Sequence, residues 1–269
     1  MRQKTDLQLK AACAEDGSLD ALGLSAPPSE DSVVATARSG DDPDLRLWVE
    51  RLKEPDSRKR LHAATVLASL GPRARRALPA LIEALKDPSP DVRRMAAIGL
   101  GEIGVEARSA IPALMEALRD ESEAVRRHAI VALGDMGPEA RLAAHALIQS
   151  LRDESISVRR YAAAALGDIG PTAAAAIPAL IEALREDDAK NRAVSAAALA
   201  KMGTRAIPRL IDALRDTDAN VRRHAARTLG KNARATDAVP ALTELLQDDD
   251  PAVRDAAAEA IKSVLSSEF

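Results

Sequence analysis

Aromatic residues are almost missing: one Trp, one Tyr and one Phe stand among 269 residues. The core must therefore be aliphatic, and the chain lacks the stacking side chains that single-stranded nucleic acids are held on. Cysteine occurs once, at Cys13, which excludes an internal disulfide framework and suits a reducing compartment. Charge of one sign is not in excess either, since 38 Lys/Arg face 41 Asp/Glu for a net charge of -3. Such a balance is poorly suited to wrapping duplex DNA, whose binders neutralise many phosphates at once.

No run approaches the ~20 apolar residues of a membrane span. The opening MRQKTDLQLKAACAEDG has no continuous apolar stretch, and Lys10 speaks against a lipoprotein signal ending at Cys13. Catalytic signatures are wanting as well: there is no Gly-rich phosphate loop, no G-x-S-x-G and no cysteine near a base. Acidic residues are plentiful but periodic, which reads as solvated surface rather than an acid/base dyad. These absences predict a cytoplasmic protein that is not an enzyme, needs no cofactor or metal, and binds neither membrane nor nucleic acid.

What the chain does have is repetition. ALPALIEALKDPSPDVRRMAAIGLGEIG from Ala77 returns as AIPALMEALRDESEAVRRHAIVALGDMG from Ala110, and further copies follow from Ala144, Ala176 and Ala206. A fixed period decides the architecture before any single residue does. Setting the proline-like position of each unit to zero, the zeros fall at Arg46, Pro79, Pro112, His145, Pro178, Pro208 and Pro240, spaced by 33, 33, 33, 33, 30 and 32 residues. Positions −1, +2, +3 and +6 are apolar (Leu78, Leu81, Ile82, Leu85 in the second unit), one stripe of an amphipathic helix A. After a polar turn, +13, +17, +21 and +24 (Val92, Ala96, Leu100, Ile103) mark the buried stripe of a helix B.

Gly104, Gly137 and Gly170 close helix B where positive φ is needed. Gly101, Gly134 and Gly167 are small enough to let neighbouring B helices approach closely. A lone pair cannot cover its apolar faces, so the pairs must stack. The expected fold is all-α, a right-handed α-solenoid of about seven two-helix units over residues 44–269. The short spacing before Pro208 predicts a local change of superhelical rotation, and Asn232 in the +24 slot predicts weaker packing near 230–237. Trp48, in a slot that holds Leu elsewhere, reads as a bulky plug at one end of the core. Residues 1–43 carry four basic and eight acidic side chains among Ser, Gly and Pro. They read as a flexible acidic leader in which Leu7 to Ala14 is compatible with one short helix.

Positions +15, +16, +19 and +23 share one exposed face of helix B. Stacked helices lie about 8–10 Å apart, so these positions line up as rows: Arg94/Arg127/Arg160, Met95/His128/Tyr161, Ile98/Val131/Ala164 and Glu102/Asp135/Asp168. A basic row, an amphipathic centre and an acidic row make a candidate groove for a protein or peptide partner. His62, His128 and His224 all occupy +16. The first and second lie two repeats apart, on the order of 20 Å, too far to share a metal ion.

The P-A-L-I-E-A-L first helix and the D-x-x-V-R-R-x-A-A-x-A-L-G-x-I-G-like second helix resemble HEAT repeats. They are most similar to the short bacterial kind also found in phycobilin lyase subunits. The resemblance covers residues 44–269 and implies a scaffold or adaptor that holds partners along one face. A bilin-lyase-like chromophore-binding subunit is the alternative it offers, and a HEAT-like DNA-binding protein a more distant one. It also implies that the first arginine of each pair (Arg93, Arg126, Arg159, Arg192, Arg222, Arg254) is structural. Each would pair with acid of the turn or the adjacent unit, with Asp87, Asp120, Asp153 and Asp216 as candidates. The second arginine would then be available to a partner. The His-Glu dipeptides of di-iron hydroxylases built on such repeats are replaced here by His-Ala throughout.

Overall fold

The computed structural model describes residues 43–232 and 234–266; the leader predicted for 1–43 lies almost wholly outside the described residues. Every regular element described is helical. The chain divides into two compact units, Met1–Ala113 and Leu114–Phe269.

The first unit contains α1 (Pro43–Arg51), α2 (Ser57–Ser69), α3 (Leu78–Ala84) and α4 (Pro90–Ile103). The boundary falls inside α5 (Ile111–Ala117). The second unit continues with α6 (Glu123–Asp135), α7 (Ala144–Ser150), α8 (Ile156–Ile169), α9 (Ile177–Glu182) and α10 (Ala189–Lys201). It ends with α11 (Ile207–Ala213), α12 (Ala219–Gly230), α13 (Val239–Glu244) and α14 (Pro251–Ser266). Odd-numbered helices are the A helices and even-numbered ones the B helices, in the seven pairs the period predicts.

The slots fill as the pattern requires. Val92, Ala96 and Leu100 are fully buried in the first unit, and so are Val125, Ala129, Leu133, Val158, Ala162 and Leu166 in the second. Burying a Leu or Ile side chain contributes about 1.5–3 kcal/mol, so one row per repeat supplies most of what holds a pair to the next. On the A helices the +3 residues (Ile82, Met115, Ile181, Ile211) are only half-buried. Their place is taken by alanine at +5 (Ala84, Ala117, Ala183, Ala213), so the stripe is narrower and shifted by one step from the predicted one.

Helix B ends at a left-handed glycine in five repeats, with φ of 53° at Gly71, 70° at Gly104, 56° at Gly137, 72° at Gly170 and 64° at Gly203. There the absence of a Cβ removes the steric cost. A tight 3-10 link follows, seven residues long at Gly71–Ala77, Gly104–Ala110, Gly137–Ala143 and Gly170–Ala176 but only four at Gly203–Ala206. The same interruption parts α8 from α9. The stretch Ile156–Arg185 is long and apolar enough to cross a membrane, but it is half-buried and broken into separate helices.

Close approach of the B helices is realised at Gly134 and Gly167, and in the first unit at Gly99, which faces Ala68. A Cβ added to Gly134 would lie 3.2 Å from the Ala165 Cα, and one on Gly167 only 2.9 Å from the Ala198 Cα. In the first unit Trp48 is half-buried, edge-on to His62 at 5.2 Å with the Arg51 guanidinium 4.7 Å over its ring. Near Asn232, α12 stops at Gly230 and the chain turns through Ala235 N–H donating to the Asn232 carbonyl at 2.9 Å.

Candidate interaction face

The turn between helices A and B is built around one aspartate. In the second unit the Asp153 carboxylate accepts the Ser155 N–H at 2.9 Å, and Asp216 and Asp248 hold the Asp218 and Asp250 N–H groups in the same way. Each is an Asx turn that bends the chain into the next helix. The first arginine of the pair then ties the turn down. Arg126 donates Nη1 to the carbonyls of Asp120 and Glu121 at 3.0 and 3.2 Å. Its Nε and Nη2 reach into the following repeat and meet both oxygens of Asp153 at 2.9 and 3.0 Å. Arg222 grips Asp248 likewise, at 2.7 and 2.9 Å, and Arg159 meets Glu186 at 3.2 Å. In the first unit Arg60 grips Asp87.

Bidentate, charge-assisted bonds of this kind are the strong ones. The Arg222 hydrogen bond and the Asp250 N–H hold the Asp248 carboxyl below the ordinary carboxylate range against burial. The partner of Arg60, Arg126, Arg159 and Arg222 is thus the acid 26 or 27 residues on, in the next repeat. Asp216 departs from the expectation: it receives the Arg185 Nη2 at 2.6 Å instead. Arg192 and Arg254 donate to main-chain carbonyls of their own turns.

The second arginines are not spare. Arg160 donates Nε to the Asn191 Oδ1 at 2.8 Å and lies 3.3 Å from Asp188. Arg127 sits 5.9 Å over the Tyr161 ring. Arg94 is buried, with a carboxylate oxygen of Asp91 at 3.7 Å.

The predicted rows divide in the same way. In the first unit Arg94, Met95 and Ile98 are buried, at 9%, 4% and 8% exposure, and Glu102 is half-buried. Their expected presentation to a partner is corrected by the burial of every residue from Val92 to Leu100. Exposure in these slots is set by what covers the helix: VRRMAAIGL on α4 is buried throughout, while the similar VRRYAAAAL on α8 leaves Arg160 and Ala164 half-buried and Tyr161 exposed.

The second unit behaves differently. On α6, Arg127, His128 and Val131 are half-buried and Asp135 is exposed; on α8, Arg160 and Ala164 are half-buried while Tyr161 and Asp168 are exposed. Closely packed α6 and α8 bring these side chains onto one face. His128 Nδ1 lies 2.7 Å from the Ala124 carbonyl, an in-helix bond that fixes its ring.

Sequence reasoning stopped short of the same slots on α10 and α12. There +16, +19 and +23 hold Val194, Ala197 and Lys201, then His224, Arg227 and Lys231, of which all but Val194 and His224 are exposed. The +23 row changes sign along the unit, and the change is marked by Lys201 Nζ on Asp168 Oδ1 at 2.7 Å. Among the described residues no group of three His, Cys, Asp or Glu side chains is placed to hold a metal ion.

Stacked A/B pairs, an Asx-turn aspartate and an arginine ladder running from repeat to repeat define an α-solenoid. The chain belongs to the HEAT-repeat family, whose pattern matches residues 45–109, 78–145, 144–219 and 207–268. Among solved structures, the complex of CpcE and CpcF of phycocyanin lyase from Nostoc sp. PCC7120 is 26% identical with a TM-score of 0.50, over 85% of this chain and 97% of that one. An engineered protein is 25% identical with a TM-score of 0.55, over 84% and 72% of the two chains. Importin beta is 14% identical with a TM-score of 0.65. The likeness covers 84% of this chain and 36% of importin beta, and at that identity it speaks for the fold alone. No curated protein matches the chain.

Proposed function

We propose that the protein is a non-enzymatic, cytoplasmic interaction scaffold of bacterial type that holds a protein or peptide segment on the helix-B face of its second unit. The observation that carries this reading is the grouping on α6 and α8. Tyr161 is 39% exposed with Arg127 over its ring, and Asp135 and Asp168 are exposed on the same two helices. An exposed amphipathic ring braced by a cation is a contact residue of low entropic cost. The candidate residues retained are Arg127, His128, Val131, Asp135, Arg160, Tyr161 and Asp168. The triple variant Arg127→Ala, Asp135→Ala, Tyr161→Ala should abolish capture of the partner while the melting temperature stays nearly unchanged. Undiminished capture by a folded triple variant rules the face out.

A chromophore-binding role is the second reading, supported by the likeness to the phycocyanin lyase complex. A bilin titration followed by absorbance separates the two, because a scaffold leaves the bilin spectrum unshifted.

A further inference from the structure

The cations of the second unit fall into two groups. Several meet a carboxylate: Arg126 meets Asp153, Arg159 Glu186, Arg160 Asp188, Arg185 Asp216, Lys201 Asp168 and Arg222 Asp248. The helix-B face of α10 and α12 breaks that habit. Arg223, Arg227 and Lys231 recur every four residues, one stripe along α12. Arg227 and Lys231 are exposed, and among the described residues neither meets a carboxylate. Arg223 donates Nη2 to the Asn220 Oδ1 at 2.8 Å, but its Nε–H is buried and without an acceptor. Arg192 of α10 gives Nη1 to the Glu186 and Asp187 carbonyls at 2.6 and 2.7 Å, and its Nε–H is also buried and orphaned. Asp255 and Glu259 on α14 are exposed and bridge to none of the four.

His224 lies among these charges. Burial first, then Arg223, Arg192, Arg227 and Lys231, push it down to about 4, so the ring adds no further charge near neutral pH. Lys and Arg at a helix C-terminus complement the macrodipole, but that benefit fades within the last turn. It accounts for Arg227 and Lys231 and not for Arg223, two turns from the end of α12.

We infer that the α10–α12 end of the helix-B face docks an acidic peptide segment, its carboxylates seated over Arg223, Arg227 and Lys231. This rests on the reading of the helix-B face as a binding face and adds the chemistry of its occupant. A peptide fits better than a nucleic acid. The whole chain is at net charge -3, and α10 and α12 present no aromatic ring on which a base could stack.

The test is fluorescence anisotropy on the full chain with three labelled probes: an octaglutamate, an octalysine and a thymidine octanucleotide, at low and at physiological salt. Octaglutamate should bind most tightly and weaken as salt rises. Arg227→Glu with Lys231→Glu should weaken it at least tenfold with an unchanged melting curve, and Arg227→Gln with Lys231→Gln should give a smaller loss. Arg141→Glu with Arg152→Glu, the same change of charge at exposed positions off this stripe, should leave the affinity within about twofold of the wild type. Absent octaglutamate binding, equal loss in both charge-reversed variants, or tighter oligonucleotide binding lost at Arg227 and Lys231 would each overturn the inference. In all three cases capture that still depends on Arg127, Asp135 and Tyr161 leaves the scaffold reading standing.

Discussion

The junction between the third and fourth repeats and the junction between the fifth and sixth use nearly the same residues to different effect. At the first, a seven-residue link, Gly137–Ala143, places Asp153 under Arg126, and the pair closes at 2.9 and 3.0 Å. At the second, the link is Gly203–Ala206, and Arg192, in the slot of Arg126, finds no carboxylate. Three residues fewer amount to one 3-10 turn, a shift of about 6 Å in where the next helix pair begins. Asp216 lands beside Arg185 instead, at 2.6 Å. The ladder is therefore set by chain spacing more than by residue identity, and the spacing lapse leaves the Arg192 Nε–H orphaned.

Truncation measures that difference most directly. Arg126→Ala strands Asp153, whose side chain is only 12% exposed, and should cost about 3 kcal/mol of unfolding free energy. Arg192→Ala removes bonds to main-chain carbonyls alone and should cost about 1 kcal/mol. Urea unfolding followed by circular dichroism reads both, and equal losses would show that the spacing is immaterial. A double-mutant cycle sharpens the point. Arg126 and Asp153 should couple by about 2 kcal/mol, whereas Arg192 and Asp216 should be additive within about 0.5 kcal/mol.

Helix contact between the fourth and fifth repeats differs from the short fifth-to-sixth link as well. Gly167 abuts the Ala198 Cα, so Gly167→Ala forces α8 and α10 apart and should cost about 2 kcal/mol. Gly203 has open space around it, with no heavy atom within 4 Å of an added Cβ, but its φ is +64°. Gly203→Ala should cost about 1 kcal/mol through backbone strain alone. Thermal unfolding ranks the two, and the reverse order would place the tight contact in the short link.

How much of this was legible in the sequence depends on whether the signal is periodic. The apolar slots, the glycine ends and the small residues between B helices follow from the 33-residue period, because each repeat solves the same packing problem. Of the candidate turn aspartates, Asp153 receives the guanidinium of a predicted ladder arginine, Arg126; Glu186 and Asp248, which receive Arg159 and Arg222, stood outside the candidates, and the choice of the next repeat needed coordinates. Burial of Met95 and Ile98 was not legible, because the equally apolar VRRYAAAAL of α8 leaves the same slots exposed or half-buried. The orphaned donors of Arg192 and Arg223 could not be read from residue types: they arise where the period lapses. The change from Asp135 and Asp168 to Lys201 and Lys231 stands in the +23 slots for anyone who follows the row onward.

The same basic end makes a prediction about pH. The folded-state pKa of His224 is about 4, lowered by burial and by the surrounding arginines and Lys231, against about 6.5 in an unfolded chain. Between those values the unfolded chain takes up a proton that the folded chain refuses. The stability His224 contributes is therefore complete above pH 6.5 and is lost as the pH falls toward 4. With a half-buried ring and solvent screening, the loss at pH 5 should be about 0.5–1 kcal/mol. His224→Gln should remove that slope and leave a residual one from His62, pushed down by burial and Arg51 in the first unit. The carboxylates held low by the ladder, Asp87 and Asp248, give way below about pH 4, so their loss is separated from that of His224. Added salt should shrink the His224 slope by screening the four cations. A slope that persists in His224→Gln, or that ignores salt, would mean that the charges on α10 and α12 do not act on this ring.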